Sequence, residues 1–117
     1  MDEKKVLVSP SIPFYRQLKQ RFSGIEFSRL EKDKIEEEGR DLIIVESAKG
    51  LEEPAVISDW DEVGPTSIKS SDLPVTLKML VKLGAVDSAV LVRLPSEYSR
   101  KRALEETSAI ISDLLSG

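Results

Sequence analysis

The sequence predicts an α/β fold in three layers, with helices on both faces of a mixed, mostly parallel sheet of about five strands. The strongest indications are three apolar runs, at residues 6–8, 42–45 and 89–92. None of them alternates with polar residues, which is typical of strands that are buried on both faces. Helical stretches separate the three runs, and strands that alternate with helices pair in parallel. We therefore expect these strands to be neighbours in one sheet.

The composition excludes several kinds of chemistry. The 117 residues are typical of a single domain, spanning 1–117. Cysteine and histidine are both absent, which excludes disulfides, cysteine nucleophiles, and the commonest general base and metal ligand. Any metal ion would need oxygen ligands. We predict no metal ion and no cofactor.

Charge and hydropathy bear on location and partners. The net charge of −4 argues against nucleic acid as the main partner. The longest apolar runs are far shorter than a membrane span, and residues 1–5 do not read as a signal peptide. We therefore predict a soluble, cytoplasmic protein with no nucleic-acid partner and no membrane contact.

The first strand, at residues 5–8, is followed by a predicted helix. Ser11 is a residue type that caps helices, and Pro13 fits the first turn, where a missing N–H costs nothing. The helix is expected to run to about Phe22 and to end at residues 23–24, which include a glycine.

The middle of the chain contains shorter elements. We expect a strand at 25–27 near an edge of the sheet, and a short exposed helix or a loop across the charged segment 29–40. A further strand is predicted at 55–58. It follows the central strand, 41–46, too closely for a normal crossover, so we expect it to be antiparallel.

Two more helices are predicted in the second half of the chain. Ser71 is the expected cap of the first, and Gly84 is expected to end it. The second forms the C-terminal part of the chain. Apolar spacing predicts their buried faces, which are Leu73, Leu77, Leu80 and Val81 in the first and Leu104, Thr107, Ile111 and Leu114 in the second.

Four motifs in the central part of the chain resemble one known family. They are DLIIVESA (41–48), EPAVI (53–57), KSSDLPVTL (69–77) and VLVRLP (90–95). In order and spacing they resemble the hydrogenase maturation endopeptidases, over about half of the chain. The resemblance implies a phosphorylase/hydrolase-like fold and a link to metalloenzyme assembly.

The sequence departs from that family at the positions that bind nickel. The family has an acid in the loop after the first strand, where this chain has residues 9–13 without any acid. The family's strand-end aspartate falls on Ser47, and its histidine at a helix start falls on Ser71. Hydroxyls are poor ligands for a divalent transition metal. The resemblance therefore implies the fold but does not transfer the protease activity.

A serine-lined crevice is the first candidate site. In parallel sheets ligands collect beyond the carboxyl ends of the strands, where hydroxyls and helix N-termini suit a small anion or polar ligand. The candidate residues are Ser9, Ser11, Ser47, Lys49, Lys69 and Ser71. The alternative is that Ser11 and Ser71 are only helix caps and that Ser47 is a hydrogen-bonded strand end.

Two further segments have competing interpretations. The acidic residues of 58–62 fit either a Ca²⁺ or Mg²⁺ site or a solvated loop. Trp60, in the same segment, is either an exposed anchor for a partner protein or part of the core. The basic residues 100–102 fit either an acidic or nucleic-acid partner or a solvated helix face paired with nearby glutamates.

Three functions remain open from the sequence. The first is a non-catalytic relative of the hydrogenase maturation endopeptidases, a pseudoenzyme whose expected partner is another protein. The second is a hydrolase with a rebuilt site, in which Ser47 or Ser71 works with Lys49 or Lys69. The third is a module that binds a small anion in the serine-lined crevice. An exposed apolar patch around Trp60 would favour the first.

Overall fold

The structure is a computed structural model, and it describes residues 4–61 and 73–116. Within these ranges the chain alternates between strands and helices. The strands are β1 (Lys5–Val8), β2 (Glu26–Arg29), β3 (Asp41–Ala48), β4 (Ala55–Ile57) and β5 (Ser88–Pro95). The helices are α1 (Tyr15–Arg21), α2 (Ile35–Glu38), α3 (Leu73–Lys82) and α4 (Arg100–Ser116), and a 3₁₀ turn (Lys32–Lys34) precedes α2.

The described strands form one mixed sheet in the order β2-β1-β3-β5-β4. Strands β2, β1, β3 and β5 are parallel, and β4 runs antiparallel to β5. The three apolar runs are therefore parallel neighbours at the centre, as predicted. The edge position of β2 and the antiparallel direction of β4 are also confirmed. The second strand begins and ends slightly later than the predicted residues 25–27.

Helices pack on both faces of the sheet, which confirms the three-layer sandwich. Side chains alternate between the faces along β3, so that Ile43 and Val45 join one core cluster and Leu42 and Ile44 join the other. The first cluster includes buried residues of α1 and α4, and we call that side the α1/α4 face. The second includes buried residues of α2 and α3, and we call it the α3 face.

The start of α1 differs from the prediction. Its N-terminal flanking residue is Phe14, whose side chain makes no capping hydrogen bond, and the helix begins at Tyr15. The prediction that Ser11 caps this helix is therefore wrong. Ser11 lies in a turn closed by a hydrogen bond from Ile12 N to Ser9 O (3.0 Å), and its hydroxyl contacts Ser9 and Ser47 instead.

The end of α3 follows a recognisable capping pattern. Gly84 has a φ of 77°, a conformation that suits glycine. Its N–H donates to Val81 O (3.1 Å), and the N–H of Ala85 donates to Leu80 O (3.0 Å). This pair of bonds is the Schellman motif, so the predicted role of Gly84 is confirmed. The predicted cap at Ser71 lies outside the described residues.

The charged segment before β3 forms a 3₁₀ turn followed by α2, so of the two predicted alternatives the short helix is confirmed and the loop is not. Leu30 and Ile35, its two apolar side chains, are buried against the α3 face.

Across the two ranges that the structure covers, no helix combines the length and apolar character needed to span a membrane.

Candidate functional site

A crevice of about 200 Å³ opens at the carboxyl edge of the sheet. It lies on the α1/α4 face, where the loop after β1, the end of β3, the loop after β5 and the start of α4 converge. Its polar lining residues are Ser11, Ser47, Ser96, Tyr98 and Arg100. Its apolar lining includes Ile12, Phe14, Leu94 and Ala103, all of which are buried.

Three of the predicted serines meet at this edge. The hydroxyl oxygens of Ser9 and Ser11 are 3.0 Å apart, and Ser47 N donates to the Ser11 hydroxyl over 3.4 Å. The strand register causes this meeting, because Val8 pairs with Val45 and Ser9 N donates to Val45 O (2.8 Å). The chain therefore leaves β1 directly beside the end of β3.

The other predicted crevice residues do not join them. Lys49 is exposed in the turn after β3 and is not one of the described lining residues. Lys69 and Ser71 lie outside the described residues, as do the serine–lysine pairs of the hydrolase alternative that include either of them.

Three polar lining residues were not predicted for this site: Ser96, Tyr98 and Arg100, all from the loop after β5 and the start of α4. Arg100 Nη2 donates to Pro13 O (3.2 Å), which joins the start of α4 to the loop after β1. The signal was present in the sequence, because β5 was predicted parallel to β3, so its own carboxyl-end loop belongs at the same edge.

Tyr98 is held in place by its neighbour on α4. The Arg102 guanidinium lies 4.0 Å from the centre of the Tyr98 ring. Partial removal from water raises the pKa of the Tyr98 hydroxyl, and Glu106 raises it further, whereas the Arg102 charge lowers it. The net direction of the pKa shift is upward, so the hydroxyl remains protonated at neutral pH, and it donates its hydrogen bond to the Glu106 carboxylate.

The basic residues 100–102 do not act as one cluster. Arg100 lines the crevice, whereas Arg102 Nε pairs with Glu106 Oε2 (3.0 Å) on the next turn of α4. Glu105 pairs with Arg21 of α1 (2.9 Å). For Arg102, the predicted pairing along the helix is therefore confirmed.

The opposite face carries an ion pair near the same edge of the sheet. Glu46 and Arg93 are register partners on β3 and β5, and Arg93 Nε lies 3.0 Å from Glu46 Oε2. Burial raises the pKa of Glu46 above its ordinary value, although the charges of Arg93 and Lys32 act in the opposite direction. This pair was not predicted from the sequence.

Trp60, the only tryptophan, is buried. It is 5% exposed, and its Nε1 donates to Ala89 O (2.8 Å). It packs in the same cluster as Leu73 and Leu77 of α3. The alternative that Trp60 belongs to the core is therefore confirmed, and its interpretation as an exposed partner-binding anchor is wrong.

The acidic residues beside Trp60 contact each other and helix α3. Asp59 Oδ1 accepts from Asp61 N (3.1 Å), and Asp61 Oδ1 lies 3.0 Å from Lys82 Nζ. Glu62 lies outside the described residues. Within 4–61 and 73–116 no group of three or more acidic side chains is arranged to hold a metal ion.

The helix that covers Trp60 leaves an apolar line on its outer surface. Val75, Met79 and Leu83 are 39%, 56% and 76% exposed. They are spaced four residues apart, so they lie on successive turns of one side of α3 and its end. We call these three residues the α3 stripe.

Comparison with known proteins finds no protein-family model, no curated protein and no solved structure that matches the chain.

Proposed function

We propose that the protein is a non-catalytic relative of the hydrogenase maturation endopeptidases that works by binding another protein. The partner presents an amphipathic helix whose apolar side, bordered by acidic residues, packs on the α3 stripe. The link to metalloenzyme assembly comes from the resemblance of four sequence motifs. The exposed α3 stripe is the observation that carries the binding role.

The α3 stripe has the form of a helix-docking surface. Large side chains spaced four residues apart are the usual anchors when two helices pack side by side. Exposed apolar residues that occur singly need no explanation, but a contiguous group commonly marks an interaction site. Leu83, the most exposed of the three, is fixed at the helix end by the Gly84 capping motif, so little ordering is needed on binding.

Charge around the α3 stripe favours an acidic partner. Helix α3 contains Lys78 and Lys82 and no acidic residue, although the whole chain has a net charge of −4. Lys82 contacts Asp61, but both side chains are more than half exposed, so this weak surface pair can exchange for a carboxylate of the partner. Lysines next to an apolar stripe attract carboxylates on a partner and raise the association rate. A second copy docking through the same face would bring the lysines of both copies together, which is unfavourable.

The crevice supports a non-catalytic role. In the family that the sequence resembles, acidic nickel ligands occupy the loop after the first strand and the end of the central strand. The loop of residues 9–13, which contains no acid, and Ser47 correspond to those places here, and their hydroxyls do not fit a nickel site. The chain also has no histidine to act as a ligand or a base.

Two synthetic helical peptides test the binding role. Both carry the same leucine stripe, and its borders are glutamates in the first and lysines in the second. Trp60 fluorescence reports binding, because Trp60 lies beneath α3 in the same core cluster. We expect saturable binding of the glutamate peptide, with ¹⁵N NMR shifts centred on α3, and much weaker binding of the lysine peptide.

A matched pair of variants locates the surface. Met79→Ser removes the centre of the α3 stripe and should weaken binding by about tenfold, since Met79 is 56% exposed and burying that part of the side chain is worth roughly half of the 1.5–3 kcal/mol for complete burial. Val56→Ser is the control, because Val56 is 46% exposed and lies on β4, where it pairs with Val92 of the α1/α4-face cluster. It should leave binding unchanged.

Several outcomes would end the proposal. These are equal binding of the two peptides, no saturable binding of either, or an unaltered affinity in Met79→Ser. Concentration-dependent dimerisation that Met79→Ser abolishes would assign the α3 stripe to a second copy of the chain, and that also contradicts the proposal. Sedimentation velocity on the full chain without peptide detects this case.

A further inference from the structure

We propose that the crevice at the carboxyl edge binds a small monocarboxylate that carries a short apolar body. The crevice combines two kinds of surface. Its apolar part comes from side chains of the α1/α4 core, and its polar part comes from hydroxyls and one guanidinium.

The apolar part suits a hydrocarbon group. Phe14, Leu94 and Ala103 line the crevice and are buried within the α1/α4 core cluster. Displacing water from such a surface with an apolar group is favourable. A bare inorganic anion would leave this surface unused, so the lining favours a ligand with an apolar body.

The polar part suits one carboxylate. Among the described lining residues only Arg100 carries a charge, so a single negative charge is matched and a second would be unpaired. A guanidinium has five N–H donors, and the bond from Arg100 Nη2 to Pro13 O uses one of them. The flat fork of the guanidinium matches the two oxygens of a carboxylate.

The hydroxyls provide additional donors around that charge. Ser11 and Ser47 approach from the loop after β1 and the end of β3, and Ser96 approaches from the loop after β5. The Tyr98 hydroxyl already donates to the Glu106 carboxylate, so Arg100 and the serine hydroxyls are the donors available to a bound carboxylate. A carboxylate accepts several such bonds at once.

The volume limits the size of the ligand. The crevice measures about 200 Å³, which is below the roughly 300–1,000 Å³ of sites for drug-sized molecules. A nucleotide or a sugar chain is too large. The crevice and the α3 stripe lie on opposite faces of the sheet, so each can bind its ligand without the other.

NMR titration of the full ¹⁵N-labelled chain tests the proposal with three probes. Isovalerate has the carboxylate and the apolar body, isovaleramide is its neutral counterpart, and inorganic phosphate is an anion without an apolar body. We expect isovalerate to give saturable shifts centred on the loops after β1 and β5. The other two should bind at least about tenfold more weakly, as expected when a charge-assisted bond or an apolar contact is lost.

Two neighbouring variants separate the site from general charge attraction. Arg100→Gln should weaken isovalerate binding by about tenfold or more. Lys101→Gln makes the same change of charge at the next position, is exposed, and is not one of the described lining residues. It should leave binding unchanged. Both positions are exposed, so both variants should fold.

Each adverse result overturns the inference in a specific way. Phosphate binding as tightly as isovalerate would show a site for any anion. Isovaleramide binding equally well would show an apolar pocket with no role for Arg100. Equal weakening by the two variants would show attraction by overall charge, and an absence of saturable shifts with isovalerate would show that the crevice binds no such ligand.

Discussion

Glu46 and Arg93 face each other across the β3–β5 ladder, with Oε2 and Nε 3.0 Å apart and both side chains mostly buried. Removing two charges from water costs free energy that the ion pair only partly recovers. For Glu46, burial is the largest influence and outweighs the attraction of Arg93 and Lys32, so its pKa is raised. This pair makes the stability of the sheet depend on pH.

The first prediction concerns that pH dependence. A carboxylic acid whose pKa is higher in the folded state binds its proton more tightly there than in the unfolded chain. The stability that this proton contributes is fully present below the unfolded pKa, about 4, and is lost as the pH rises through the folded pKa. The difference in the free energy of unfolding between the native chain and Glu46→Gln should therefore fall as the pH rises from the unfolded pKa through the folded pKa of Glu46. Urea denaturation at a series of pH values measures it.

Asp87 provides a control with the opposite sign. The Arg40 guanidinium, 2.7 Å away, holds the pKa of Asp87 below its ordinary value. Its contribution should be present above the unfolded pKa and should be lost as the pH falls, and it should be small because both side chains are exposed. If Glu46→Gln and Asp87→Asn change the pH profile in the same direction, the assignment of Glu46 is wrong.

The second prediction concerns the central strand. Ile44 lies on β3 and is fully buried in the α3-face core. Truncating Ile44 to Ala should lower the free energy of unfolding by about 2–5 kcal/mol. Lys34→Ala is the control, since Lys34 is exposed and its pairing with Glu31 is a surface ion pair, so it should change stability by less than about 0.5 kcal/mol. Equal denaturation midpoints would contradict the core assignment.

The third prediction concerns the indole of Trp60. Replacing Trp60 by Phe removes the donor to Ala89 O, a bond made inside the core, and should cost about 1–3 kcal/mol. Tyr15→Phe is the matched control. The Tyr15 hydroxyl also donates to a backbone carbonyl, that of Phe27 (3.0 Å). This site is only half-buried, so in Tyr15→Phe a water molecule can donate to the Phe27 carbonyl in place of the lost hydroxyl. Thermal and chemical denaturation should show a smaller loss for Tyr15→Phe, and the reverse order would contradict this ranking.

Much of the fold could be predicted because a strand that is buried on both faces has an uninterrupted apolar run in its sequence. The runs 6–8, 42–45 and 89–92, which lie within β1, β3 and β5, are apolar at every position, so the place of these strands in the centre of the sheet follows from the local apolar pattern. The antiparallel β4 followed from the shortness of its connection to β3. These features depend on local sequence and on simple limits of chain length.

The errors arise where a residue's role depends on distant parts of the chain. The charged neighbours of Trp60 suggested exposure, but Leu73 and Leu77 of α3 pack in the same cluster and the ring is buried. Ser11 has the chemistry of a helix cap, yet its hydroxyl contacts Ser9 and Ser47 because β1 and β3 end side by side. The Glu46–Arg93 pair depends on strand register, which apolar spacing does not give.

The fourth prediction concerns nickel. The unmodified chain, with any polyhistidine tag removed, should show no saturable Ni²⁺ binding in calorimetry at micromolar concentration. The reason is the donor set, because hydroxyls at Ser11 and Ser47 provide neither the charge nor the nitrogen lone pairs that hold this ion. The double variant Ser11→Asp with Ser47→Asp should gain measurable affinity, since the Ser11 hydroxyl and Ser47 N are only 3.4 Å apart.

A second double variant shows whether that gain is specific. Ser112→Asp with Ser116→Asp adds the same charge at two exposed positions of α4, outside the crevice lining, and should bind no more nickel than the native chain. Equal gains in the two double variants would mean that added charge, rather than the place in the crevice, attracts the ion. Tight stoichiometric binding by the unmodified chain, lost on replacing Ser47, would contradict the proposed non-catalytic role, because a metal held there could activate water for hydrolysis.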